Sequence, residues 1–99
     1  MDAILIRDLH LTIMNESEFY ETVLVGMLKC IEPRFKKGDY DPEKFTNALQ
    51  DRIRDYIKHN RGSAYHGTVV DKKHRTEVAS NIVKEFTEEM ELGNFHTME

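Results

Sequence analysis

Between Lys58 and Arg75 the chain gathers the side chains best suited to chemistry. Lys58, Arg61, Lys72, Lys73 and Arg75 stand against Asp71 alone, a local charge of roughly +4, and His59, His66 and His74 lie among them. The whole chain is −4, so the remainder sums to about −8. Clustered cations bind carboxylates or phosphates, and loop glycines (Gly62, Gly67) let a backbone approach a ligand closely. Tyr56 and Tyr65 offer rings on which a base could stack. Lys72, Lys73 and Arg75 would occupy the first turn of a helix, against the dipole preference. A local rule broken without visible compensation marks a place to look for function. The candidate ligand or partner site is therefore Lys58, Arg61, Tyr65, His66, Lys72, Lys73, His74 and Arg75. The competing reading is a solvated loop whose charge is neutralised by the acidic helix of another protomer.

Other chemistries find less support. His59 and His66 are seven residues apart and His74 and Glu77 three, so no zinc-type ligand spacing occurs and no metal or cofactor is expected. Phosphate-loop and dinucleotide fingerprints are absent. Ser63 and Ser80 have no recognisable catalytic partners. Cys30 shares an apolar stripe with Met27 and Ile31, where a thiol behaves as a small inert hydrophobe. No catalytic residue is assigned, and the chain reads as a non-enzyme.

The elements that must position the basic stretch are helical. Ninety-nine residues make one domain, with 39% apolar and 32% charged residues. Residues 1–14 read either as a helix (Leu5, Leu9, Ile13) or as a strand (Leu9, Leu11, Ile13 in alternation). Asn15 and Glu18 have capping-box spacing ahead of a helix over 16–37, with an apolar stripe of Phe19, Val23, Met27, Cys30 and Ile31. Pro33 should kink that helix, and Gly38 should stop it. Asp41-Pro42-Glu43 opens a helix over 42–59 on Phe45, Leu49, Ile53, Tyr56 and Ile57. The basic connection spans 60–70. Thr68 or Asp71 then caps a last helix over 71–92, built on Val78, Ile82, Phe86 and Met90, with a tail over 94–99 in which Phe95 could fold back. The fold expected is all-α, a small three- to four-helix bundle.

A single cysteine suggests a reducing compartment, and the N-terminal stretch is neither a signal peptide nor a membrane span, so a cytoplasmic location without membrane attachment is expected. The acidic balance argues against general DNA coating. The last helix is basic at its start and acidic at its end (Glu85, Glu88, Glu89, Glu91), so two copies laid antiparallel would complement each other as a homodimer.

The order FYE, KKGDYDPEKF and HRTEVASNIVKEFTEEMELG, spanning Glu18 to Gly93, resembles small helical accessory proteins encoded by tailed bacteriophages. In those proteins a KG-x-YD-type turn introduces a helix, and the last helix opens on an R-x-E-V/A-type start. The resemblance implies a setting in the host cytoplasm. It also implies action by binding and blocking a host protein, including components of bacterial immunity, rather than catalysis. Binding of a nucleotide or nucleic acid by the basic stretch, or a self-associating structural role, are the alternatives.

Overall fold

Apolar residues recur at helical spacing in four segments, and each forms a helix in the computed structural model, which describes residues 2–59, 65–66 and 70–96. α1 (Asp2–Asn15) buries Ile6, Leu9 and Ile13. Leu11 is half exposed, so the alternation that suggested a strand does not correspond to a buried face.

The next helix, α2, runs over 17–37. It comprises a short α-helical turn, Ser17–Phe19, a π-helical stretch, Tyr20–Leu24, and an α-helix, Val25–Lys37. The expected capping box is not made. Asn15 is still the last residue of α1, and Glu16 is the extended N-cap residue with no side-chain bond to the helix. One residue separates the two helices, which leaves Asn15 no room to adopt an extended capping conformation. α2 continues through Pro33 without a break, and a π stretch lies upstream. The missing N–H of Pro33 faces the carbonyl of Lys29, an exposed residue whose surroundings water can reach.

The π stretch changes which side of α2 is inside. An extra residue within one turn rotates everything after it by about 100°. The buried apolar side chains are Phe19, Leu24, Leu28 and Ile31, with Val23 and Met27 only half buried. Cys30, expected on the apolar face, is exposed for the same reason. Gly38 ends the helix at φ 77°, and the amide of Asp39 reaches back to the Arg34 carbonyl at 2.9 Å, a Schellman-type closure.

α3 (Pro42–His59) starts where Asp41 Oδ1 accepts the Glu43 amide at 3.1 Å. α4 (Lys72–Glu91) starts on Asp71, which accepts the His74 amide at 2.9 Å. Thr68, the other candidate cap, lies outside the described residues. α3 and α4 lie antiparallel: Arg75, near the start of α4, meets Gln50 at the middle of α3, and Thr87, near the end of α4, meets Tyr40 just before α3. α1 packs on another flank of α4. α2 brings Phe19 against Tyr56 (5.3 Å between rings) and Phe35 against Phe95 (6.3 Å). The Phe95 contact folds the segment after Gly93 back over the end of α2. It is held there by Glu32, a fully buried carboxylate whose Oε2 accepts the His96 amide at 2.6 Å. One core joins all four helices.

Candidate binding surfaces

The basic residues separate into a structural set and an exposed set. Arg75 belongs to the first: its guanidinium donates to the Val70 carbonyl at 2.7 Å and, through Nε, to Oε1 of buried Gln50 at 3.3 Å. It brackets the start of α4 to the middle of α3, which commits Nε and one Nη1 donor inside the molecule. His74 is likewise engaged, with Nδ1 2.6 Å from Asp71 Oδ1. The Asp71 carboxylate is pulled below its ordinary pKa, first by the His74 amide and further by the charges of His74 and Lys73.

Tyr65 is half buried against the core and donates its hydroxyl to Asp8 of α1, tying the connection to the first helix. Burial, then that hydrogen bond, then the Asp8 charge push the Tyr65 phenol up to about 12. A group whose folded pKa is raised contributes stability below its unfolded pKa, about 10 for tyrosine, and loses it as pH rises through the folded value. Alkaline difference absorbance should therefore show a phenol ionising near pH 12 that disappears in Tyr65→Phe and moves downward in Asp8→Asn. A Tyr65 midpoint near 10 would contradict the contact.

The second set is Lys58 in the last turn of α3, His66, and Lys72 and Lys73 in the first turn of α4, all exposed. In the antiparallel α3–α4 pair the last turn of α3 and the first turn of α4 lie toward the same end, which places Lys58, Lys72 and Lys73 there. Among the described residues, neither Lys72 nor Lys73 makes an ion pair. Arg61 lies outside the described residues. No three His, Cys, Asp or Glu side chains converge as metal ligands among the described residues, and no helix there is long and apolar enough to cross a membrane.

A second surface went unnoticed in the sequence. α2 and α3 diverge, leaving two contiguous clefts of about 570 and 470 Å³ that share Thr22, Val23 and Arg52. The floor is apolar, with Val23, Met27 and Phe45 half buried and Leu49 beneath. On the α2 wall stand Thr22, Gly26 and Cys30, small residues four apart. Gly26 is exposed within the helix, and a Cβ added there would meet nothing within 4 Å. A helix-interior glycine costs roughly 0.5–1 kcal/mol relative to alanine, and packing within the chain does not require this one. The rim carries Glu18 and Asp55 with Arg52 and His59. An interior glycine flanked by small residues at four-residue spacing was the available signal. The stripe was masked because an uninterrupted helix would place Cys30 in the core.

A third depression, between α1 and α4, is partly closed by His10, whose Nε2 lies 3.1 Å from Glu85. This contact takes up part of the acid at the end of α4. Comparisons with protein-family models, curated proteins and solved structures give no match to this chain.

Proposed function

We propose that this chain is a non-enzymatic accessory protein of the phage type that acts by binding an acidic surface of a host protein through Lys58, His66, Lys72 and Lys73. Its most concrete form is an inhibitor of an anti-phage defence component. The observation that carries the reading is the condition of Lys72 and Lys73. They stand exposed on a helix turn whose dipole disfavours them, without an ion pair among the described residues, while Asp71, Gln50 and Arg75 fix the backbone beneath. A hydrogen-bonded support beneath cations that make no ion pair among the described residues suits charge-steered association. Arg75 positions this end of the bundle rather than contacting the partner.

The test is a pull-down from bacterial lysate with nuclease-treated and untreated halves, comparing wild type with Lys72→Glu/Lys73→Glu. The double variant should keep its helicity and lose the captured protein. Undiminished capture would refute the role of the lysines. Recovery of nucleic acid alone, with steep salt dependence, would instead assign the same cations to a nucleic-acid ligand.

A further inference from the structure

We infer that the groove between α2 and α3 is the seat of a second copy of this chain, whose α2 lies antiparallel to the first and crosses it at Gly26. A two-fold axis through that point makes the contact self-complementary, so each α2 occupies the other copy's groove. This proposal does not depend on what the basic end of the bundle binds.

Three features converge on this occupant. The groove is long and apolar-floored, and it follows an open flank of α2, whereas α4 is covered by α1 and α3. On that open flank Thr22, Gly26 and Cys30 allow two helix backbones to approach closely, which gives the otherwise unexplained glycine a purpose. Charge then selects a reversed copy. The first half of α2 exposes Glu18 and Glu21, and the second half exposes Lys29, Arg34 and Lys37. Centred on Gly26, the second copy's Arg34, which also lies 3.9 Å from its own Asp39, reaches Glu18, and its basic half lies along the groove end where Asp55 of α3 adds a carboxylate beside Arg52 and His59. Acids early and bases late also suit a helix dipole, so charge alone would not choose a partner. Its coincidence with the small-residue flank and the groove does.

The pairing also specifies a register. Thr22 of one copy faces Cys30 of the other, whereas the two Cys30 residues lie on opposite sides of the axis, roughly 12 Å apart along the helices. That separation exceeds disulfide reach. The π stretch, a geometry often found at functional positions, carries Thr22 and Val23 to the lip of the groove. Thr22 Oγ1 donates to the Glu18 carbonyl at 2.7 Å there, so its polar atom has a partner within the helix while its methyl is left for contact.

Size-exclusion chromatography with light scattering on the full chain should give twice the 11.7 kDa protomer mass at micromolar concentration. Gly26→Leu should give the protomer mass with helicity retained, since its side chain meets nothing within the chain. Under mild oxidation Thr22→Cys, with native Cys30, should form a covalent dimer on a non-reducing gel that the wild type does not form. Glu18→Lys/Glu21→Lys and Lys29→Glu/Lys37→Glu should each weaken self-association and restore it when mixed. A wild type at protomer mass throughout overturns the proposal. So does a dimer indifferent to Gly26→Leu, or one that fails to cross-link through position 22.

Discussion

Leu24→Ala should lower stability by roughly 2–5 kcal/mol, the range for truncating a fully buried leucine, whereas Val23→Ala next to it should cost about 1 kcal/mol or less. Leu24 is 0% exposed at the centre of the core, and Val23 is half buried at the edge of the groove. In a domain of this size the first change corresponds to a fall in melting temperature of at least about 10 °C. The pair is diagnostic because the two residues exchange roles with the geometry of α2. Continued as an uninterrupted α-helix from Phe19, the chain would place Val23 inside at i+4 and turn Leu24 about 100° away. The π stretch at Tyr20–Leu24 reverses this by making Phe19 and Leu24 neighbours on one face. Thermal or urea unfolding of both variants reads the phase of the helix directly. A larger loss for Val23→Ala would show that α2 follows an ordinary helical repeat, and the groove and its small-residue flank would then be misplaced.

Arg75→Ala should cost roughly 2–4 kcal/mol, while Lys72→Ala and Lys73→Ala should stay within about 0.5 kcal/mol of wild type and lean toward stabilisation. Removing the guanidinium strips a charged donor from the Val70 carbonyl and from Oε1 of Gln50, which is 2% exposed and still engaged through Nε2 with Asp51. A buried acceptor left without its donor bears the desolvation cost outright. The two lysines make no such bonds among the described residues, and each opposes the dipole of α4. Urea midpoints for the three variants therefore separate the cation that builds this end of the bundle from the cations open to a partner. If Arg75→Ala is as mild as Lys73→Ala, the bracket contributes nothing, and Arg75 returns to the set of candidate binding residues.

That division among chemically similar side chains shows what sequence reading can and cannot reach here. Arg75, Lys72 and Lys73 sit within four positions of one another. Charge, spacing and dipole arguments treat them alike, because nothing in the sequence says that Gln50, twenty-five residues earlier, has a buried oxygen to satisfy. Tyr65 was legible as a ring near cations, but its tie to Asp8, fifty-seven residues away, depends on tertiary packing. Glu32 drew no notice in a helix full of charges, yet it is completely buried beneath the returning segment at His96.

The sequence by itself determined the all-α class with three or four helices, the stop at Gly38 and the start at Asp41-Pro42, while leaving 1–14 open between helix and strand and the last start open between Thr68 and Asp71. These rest on local chemistry: backbone dihedral preferences, capping bonds within three residues, and apolar periodicity. Tertiary structure alone decided the face that α2 presents, because a single extra residue in one turn leaves composition and local propensity almost unchanged while rotating every later side chain by about 100°. It also decided which cations are spent internally, since a hydrogen bond between distant helices depends on long-range packing. The exposed lysines and the open flank of α2 follow from those two decisions.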